Sequence, residues 1–130
     1  ATVVGGPGAV STAVLQDIRT LVGSANRIAG NSRYETSYQV ALVARDAGMS
    51  VTSMWLATGE NFPDALAAGA AVAKEGGIML LVHGSNYASS PRVSDWLYSL
   101  RNEIESVTIA GGTGAVSASV EARVRQDTAT

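Results

Sequence analysis

Four polar or charged residues, Arg27, Arg33, Tyr34 and Glu35, lie together around the start of a predicted helix and could bind an acidic ligand. An arginine in the first turn of a helix opposes the helix dipole, so Arg33 is not placed there for helix stability. Its guanidinium could pair with a carboxylate or phosphate, or it could be a solvated neighbour of Glu35. Tyr34 adds a ring that could stack on a sugar and a hydroxyl that could donate a hydrogen bond.

A second polar turn follows the apolar run Met54–Ala57 and precedes an alanine-rich helix. It contains Asn61, which can cap the helix, Pro63, which suits the first turn, and Asp64, whose charge complements the helix dipole. A strand, a polar turn and a helix N-terminus together form the edge at which α/β proteins bind ligands. Asn61 and Asp64 could also do no more than cap the helix, and their spacing alone favours this simpler interpretation.

Two glycine-rich loops, Gly5–Gly8 and Gly111–Gly114, follow predicted strands and precede predicted helices. Adjacent glycines such as Gly111 and Gly112 let a backbone approach a phosphate at a helix N-terminus. A dinucleotide site also needs an acidic residue about 20 residues later, and the segment 24–30 contains none. Dinucleotide binding is therefore not expected, whereas a tight structural turn and the binding of another anion both remain open.

The side chains that most enzymes use for catalysis are sparse in this chain. His83 is the only histidine, which excludes a metal site made of several histidines, and there is no G-x-S-x-G motif. Glu60 and Asp64 are close enough in sequence to form paired carboxylates, but no partner base or metal ligand accompanies them. We therefore expect no enzyme activity, no metal and no cofactor, with an enzyme that uses the Glu60–Asp64 turn as a third alternative only.

The composition indicates one globular domain, since 46% of the 130 residues are hydrophobic and 15% are charged. The formal net charge of −2 argues against nucleic acid as a partner. No apolar run approaches the roughly 18 residues of a membrane span, and no signal-peptide pattern is expected within this sequence. The absence of cysteine excludes disulfides and fits either the cytoplasm or a bacterial surface.

The sequence contains an internal repeat: residues 2–19 align without gaps to residues 108–125, and nine of the eighteen positions are identical. Such regularity indicates one period of a tandem array, preceded by the last strand, turn and helix of another module. We therefore predict that residues 1–24 are the tail of a preceding repeat and that residues 25–130 form the module itself.

Predicted helices and strands alternate between the two copies of the repeat. Ser32, with Glu35 three residues later, predicts a capping box at the start of a helix over about residues 33–47, and Ser117 is expected to cap a last helix. A further helix spans about residues 61–75, and the strands span 51–57, 78–82 and 106–110. The alanine-rich helix is expected to be buried on most sides, with Ala68 and Gly69 in close contact with a sheet or another module. The alternation predicts one parallel sheet covered on both sides by helices.

Four segments carry motifs that occur together in one family. Residues 27–37 contain R-x-x-G-x-x-R-Y-x-T, and residues 57–68 contain A-x-G-x-x-x-P-D-A-L-A-A. Residues 78–81 are similar to a P-I-L-L strand, with Gly77 in place of proline, and residues 109–117 to the ending I-V-G-G-x-x-A-V-S. In this order and spacing, the motifs resemble the bacterial cell-wall-binding repeat type 2 family.

The resemblance implies a non-catalytic α/β module with a Toprim-like (Rossmann-like) parallel sheet flanked by helices. It also implies non-covalent binding of an anionic secondary polymer of the Gram-positive cell wall, and packing of modules in threes around a pseudo-threefold axis. The residues that match the motifs, and are therefore candidates for ligand binding, are Arg27, Arg33, Tyr34, Thr36, Asn61, Asp64, Gly111 and Gly112. The sequence lacks the acidic metal cluster of Toprim enzymes, so no nuclease or topoisomerase activity follows.

These observations together predict an extracellular module that anchors a secreted protein to the cell wall. The alternative is a structural or assembly repeat that packs with other modules and binds no polymer. Both copies of the repeat are apolar, so we expect both to be ordered, with the surplus apolar face covered beside the core sheet or by another protomer. A lone module should then self-associate, with a trimer as the first expectation and a dimer by element exchange as the second.

Overall fold

Five strands and five α-helices alternate along the chain, as the sequence predicts, and the computed structural model describes all residues from 1 to 130. None of the helices combines the length and the apolar character needed to cross a bilayer. The elements are β1 (Thr2–Val4), α1 (Thr12–Val22), β2 (Asn26–Ile28), α2 (Arg33–Asp46), β3 (Ser53–Thr58), α3 (Pro63–Glu75), β4 (Ile78–Val82), a 3₁₀ turn (Tyr87–Ser89), α4 (Pro91–Ser99), β5 (Ser106–Ile109) and α5 (Ala118–Asp127).

The strands form two separate parallel sheets, so the prediction of a single sheet is wrong. The larger sheet has the order β4-β3-β5, and the smaller pairs β1 with β2. Both edges of β3 are occupied, with Leu56 opposite Leu80 in β4 and Ile109 in β5. The two N-terminal strands pair with each other and not with this sheet, although the outer edges of β4 and β5 are unpaired.

The main core lies on the three-stranded sheet and under the helices that cover it. Met54, Leu56, Leu80, Leu97 and Val93 are fully buried there. The helices α2 and α4 pack on each other, α4 packs on α5, and α3 packs on β3 and β4. A second, smaller cluster joins the N-terminal elements and consists of Val3, Leu15 and Ala25.

Serine caps define the starts of three helices. The hydroxyl of Ser32 accepts from the backbone N–H of Glu35 at 3.1 Å, and the carboxylate of Glu35 accepts from the N–H of Asn31 at 3.3 Å. This confirms the predicted cap of α2 and positions its first turn. Ser11 and Ser117, which are equivalent in the repeat, cap α1 and α5 in the same way.

The helix α3 differs from its prediction in two respects. Its cap position is Phe62 without a side-chain hydrogen bond, so the expected cap by Asn61 is wrong, although Pro63 does begin the helix. The helix is also mostly exposed rather than buried: Val72 is its only buried residue, and Leu66 is 74% exposed. A Cβ added to Gly69 would meet no atom within 4 Å, so the expected close contact is absent within the chain.

Candidate functional site

The carboxyl ends of β3, β4 and β5 meet the first turns of α2 and α3 at one edge of the larger sheet. Parallel strands all end at the same edge, so the loops that follow them are brought together there. We call the residues at this place the carboxyl-edge cluster: Arg33, Tyr34, Gly59, Glu60, Asp64, His83, Gly84 and Gly111.

Arg33 and Tyr34 lie over Gly59, the first residue after β3. The Nη1 of Arg33 donates a hydrogen bond to the carbonyl of Gly59. A Cβ on Gly59 would lie 2.7 Å from Cε1 of Tyr34 and 3.0 Å from Cδ of Arg33, so only glycine allows this approach. The guanidinium is held by one of its five N–H groups, and the rest of this exposed side chain is available to a ligand.

Glu60 links the ends of β3 and β4. One oxygen of its carboxylate lies 3.4 Å from Nε2 of His83, and the other accepts from the N–H of Gly84 at 3.0 Å. The Nδ1 of His83 accepts from the backbone N–H groups of Ser85 and Asn86. In the neutral ring the proton therefore resides on Nε2 and faces Glu60.

The phenol of Tyr34 is adjacent to this pair, with its ring centroid 6.1 Å from that of His83. Partial burial raises the pKa of Tyr34, the negative charge of Glu60 raises it further, and Arg33 opposes the shift. Tyr34 is consequently protonated at neutral pH and able to donate a hydrogen bond.

The structure brings Asp64 and Gly111, two of the predicted ligand residues, into contact with each other. A Cβ on Gly111 would lie 2.5 Å from Oδ2 of Asp64, and Gly111 has a φ of +106°, which glycine adopts without strain. Gly112 is exposed with open space around it. Asn61 is exposed at the start of α3.

The loop after β5 has the geometry of a tight turn. The N–H groups of Ala115 and Val116 both donate to the carbonyl of Gly112, at 2.9 and 3.1 Å. The helix α5 begins only at Ala118, and the hydroxyl of Ser117 already caps it by accepting from Val120. With the carboxylate of Asp64 beside this loop, the geometry favours the structural interpretation over the anion-binding one.

Two predicted ligand residues lie away from the carboxyl-edge cluster. The Nη1 of Arg27 donates to the carbonyl of Gly5 at 2.6 Å, and its Nη2 is buried without a partner. The hydroxyl of Thr36 accepts from the N–H of Gly30 at 2.9 Å. Both side chains therefore have structural contacts within the chain, between β2 and its neighbours.

Sequence reasoning did not name His83 as a binding residue and weighed Glu60 only as a weak catalytic candidate. The sequence did contain a signal for both residues, because Glu60 and His83 lie shortly after the ends of predicted strands. Asp64 and Gly111 also lie shortly after strand ends. The rule that strand ends share one edge would have selected them. No group of three or more histidine, cysteine or acidic side chains in the chain has the geometry of a metal site.

Comparison with known proteins adds independent findings. Residues 27–121 match the family described as Cell wall binding domain 2 (CWB2). The chain is 29% identical over 118 residues to the N-acetylmuramoyl-L-alanine amidase LytC of Bacillus subtilis (strain 168), an alignment that covers 91% of this chain and 22% of the amidase.

Two solved structures from Clostridium difficile share the fold. Cwp6 matches with a TM-score of 0.81 at 22% identity, over 96% of this chain and 19% of its own. Cwp8 matches with a TM-score of 0.72 at 23% identity, over 97% of this chain and 20% of its own. The chain thus spans about one fifth of the length of each of these three proteins.

Proposed function

The chain belongs to the cell wall binding domain 2 family, and on this premise we propose that it is a non-catalytic module that anchors a larger secreted protein to a Gram-positive cell wall. Its place is the cell wall or cell surface. The binding we propose is non-covalent, and the ligand is an anionic secondary wall polymer. We also propose that the module is Toprim-like in its finer classification and needs no cofactor.

The observation that carries this proposal is the packing of Arg33 and Tyr34 against Gly59 at the end of β3. Arg33 is held by one hydrogen bond to a carbonyl, and its remaining donors have no partner within the chain and belong to an exposed side chain. A guanidinium pairs with carboxylate or phosphate groups through two parallel hydrogen bonds. The phenol of Tyr34 next to it can donate to, or stack on, a sugar of the same polymer.

The carboxylates of Glu60 and Asp64 do not prevent such binding. Glu60 already accepts from Gly84 and faces His83, and Asp64 lies against Gly111. The negative charge of Glu60 is thus partly offset by these donors of the protein. A polymer that carries both anionic groups and hydroxyls would place the anion at Arg33, and its hydroxyls could donate to the free lone pairs of the two carboxylates.

The test is binding to purified, protein-free Gram-positive walls. Arg33→Ala should weaken binding by about 1–3 kcal/mol, the scale of a lost charge-assisted hydrogen bond, while the protein remains folded. Arg92→Ala is the matched control, because Arg92 is also exposed in the first turn of a helix and its removal changes the net charge equally. Equal binding by the two variants would exclude Arg33 as a contact, and salt should weaken binding by the parent chain.

A second candidate function, a repeat that packs with other modules and binds no polymer, is supported by the exposed apolar side chains of α3. Phe62 and Leu66 are each 74% exposed and lie one helical turn apart. A patch of this kind is typical of an interface. The wall-binding assay separates the two candidates, because an assembly repeat should not sediment with walls at any salt concentration.

A further inference from the structure

The internal repeat contains one strand in each copy, β1 and β5, and these two equivalent strands form their hydrogen bonds through opposite edges. In β5, the N–H of Ser106 donates to Thr52 at 3.0 Å, and the N–H of Ala110 donates to Leu56 at 2.8 Å. In β1, the N–H of Gly5 donates to the carbonyl of Ile28 at 2.9 Å, and the carbonyl of Ala1 accepts from the N–H of Asn26 at 2.9 Å. At the offset of 106 residues, Gly5 and Ala1 correspond to Gly111 and Val107.

In β5, the backbone groups of Ser106, Ala110 and the residue midway between them therefore face β3. The backbone groups of the residues in between face away from β3. That outer edge, which we call the free edge of β5, contains Val107, Ile109 and Gly111. The N–H and the carbonyl of Gly111 have no partner within the chain. A strand edge without a partner is a template for pairing with another segment.

A groove of about 540 Å³ runs along this free edge, between β5 and α5. In the N-terminal copy, the equivalent space is occupied by the chain around β2. Ala25 is only 4% exposed there, packs with Val3 and Leu15, and accepts a hydrogen bond from Nε of Arg19 at 3.0 Å. Arg27 adds its hydrogen bond to Gly5.

The two equivalent helices, α1 and α5, differ in how deeply the same positions are buried. Val116, Val120 and Val124 on α5 are each 2% exposed, because α5 packs on α4 and the main core. Their equivalents on α1 are Val10, Val14 and Ile18, and Val14 is 45% exposed. In the N-terminal copy, β1 and α1 are covered on one side by β2 and its neighbours. In the C-terminal copy, β5 and α5 are covered on the other side by β3 and α4.

We propose that the free edge of β5 is a docking site for residues 25–28 of another copy of this module. That segment adds as a fourth parallel strand, so that the sheet becomes β4-β3-β5-β2 with the last strand from the second copy. The pairing of β1 with β2 supplies the register, which places Thr108 opposite Asn26 and Ile109 opposite Arg27 of the second copy. This inference concerns how modules join and does not require that the module bind a polymer.

The same equivalence specifies the contacts. The N–H of Gly111 donates to the carbonyl of Ile28 of the second copy, and the carbonyl of Gly111 accepts from Arg27 of that copy. Arg125, equivalent to Arg19, is exposed and pairs with Glu121 at 3.0 Å in the single chain. On docking it donates instead to the carbonyl of Ala25 of the second copy, as Arg19 does within the chain.

One position departs from this equivalence. Glu121 stands where the N-terminal copy has Leu15, which is 6% exposed in the small core. A carboxylate packs against an incoming alanine less well than a leucine does. Glu121→Leu is therefore expected to tighten the docking and serves as a gain-of-binding variant.

The experiment uses a two-module chain in which residues 1–130 are followed directly by residues 25–130. The offset of 106 residues makes the position after Thr130 equivalent to Ala25, so this chain continues the repeat without a linker. Cysteines replace Thr108 in the first module and Asn26 in the second. The sequence has no other cysteine, so any disulfide is the one designed.

If the free edge docks the second module, the Thr108→Cys and Asn26→Cys pair should oxidise as fully as Thr2→Cys with Asn26→Cys does in the single chain, where the two positions are opposite each other. A cysteine at the exposed Asp95 on α4, paired with the same Asn26→Cys, is the off-site control and should remain reduced. Oxidation at Asp95 equal to that at Thr108 would overturn the proposal.

A second readout does not depend on disulfide geometry. With only the first module isotopically labelled, hydrogen exchange of the Gly111 amide should slow by at least about tenfold relative to the single chain, because the amide gains an acceptor. Glu121→Leu should slow it further, and Arg27→Ala in the second module should reverse part of the protection. Exchange of Gly111 at the rate of the single chain, in a two-module protein with both modules folded, would refute docking at this edge.

Discussion

At the scale of residues, the carboxyl-edge cluster depends on backbone positions that leave no room for a Cβ. Gly59 lies beneath Arg33 and Tyr34, and Gly111 lies beside Asp64. A side chain at either position would displace the groups that face solvent there. The glycines are therefore required for close approach, and the charged side chains next to them are held in place by it.

Gly59→Ala tests this arrangement. The new Cβ would overlap Cε1 of Tyr34 and Cδ of Arg33, and we expect a loss of about 1–3 kcal/mol in the free energy of unfolding. Wall binding should fall as well, since Arg33 is displaced. Chemical denaturation measures the first effect. Gly8→Ala is the control, because a Cβ there meets nothing within 4 Å; equal stability of the two variants would contradict the prediction.

At the scale of elements, α3 packs through one side only. The strands β3 and β4 lie against that side. Phe62, Leu66 and Ala70 follow one another at four-residue spacing on an exposed surface. Gly69 and Ala70 therefore do not serve a tight contact inside the chain. This exposed surface of α3 is therefore accessible to another molecule.

Gly69→Ala should stabilise the protein. The new methyl group has open space around it, and alanine is favoured over glycine in a helix interior by about 1 kcal/mol. An increase of that size in the free energy of unfolding, measured by denaturant titration, is the expected result. A decrease would mean that the chain, alone or self-associated, packs closely against this position.

The contact between the 3₁₀ turn and the C-terminal helix should make stability depend on alkaline pH. Burial raises the pKa of Tyr87, and the nearby charge of Asp127 on α5 raises it further. In the unfolded chain the phenol ionises near its ordinary pKa of about 10, whereas in the folded chain it stays protonated to higher pH. The unfolded state then binds fewer protons, so stability falls as the pH rises above about 10.

Tyr87→Phe removes the ionisable group, and its free energy of unfolding should fall less steeply above pH 10 than that of the parent. The phenol oxygen of Tyr87 is buried without a hydrogen-bond partner, so its loss should cost little at neutral pH. Tyr98→Phe, at an exposed tyrosine, is the control. The same alkaline slope for the parent and Tyr87→Phe would disprove the assignment.

At the scale of the whole molecule, large apolar side chains remain exposed on two elements. Phe62 and Leu66 project from the α3 side, and Val14 and Leu21 project from α1, where Leu21 is 83% exposed. Such surfaces are uncommon on monomers of this size unless they are interfaces. The expectation of a trimer, or a dimer by element exchange, therefore remains a prediction with a physical basis.

Light scattering over a micromolar concentration series tests self-association. The parent chain should form an oligomer, and Leu66→Lys should shift it toward the monomer, because a charge would have to be buried in the interface. Lys74→Ala, which alters a charge at the far end of the same helix, is the control. A parent chain that is monomeric throughout the series would contradict the prediction.

Local patterns in the sequence determined much of this protein. The alternation of strands and helices, the serine caps and the internal repeat depend on neighbours a few residues apart or on direct comparison of segments, so they are readable without a fold. The motif at Arg33 and Tyr34 led to the family in the same way, and the match over residues 27–121 confirmed it.

Only the tertiary structure decided which strand edges pair and which helix faces are covered. The strands β1 and β2 pair with each other while the outer edge of β5 stays unpaired, and no local pattern records which of these edges a strand will join. The exposure of α3 has the same origin, since burial depends on what packs opposite. Glu60 and His83 are far apart in the chain, and long-range packing brings them to the same edge of the sheet. Long-range packing also decides that the backbone groups of Gly111 have no partner.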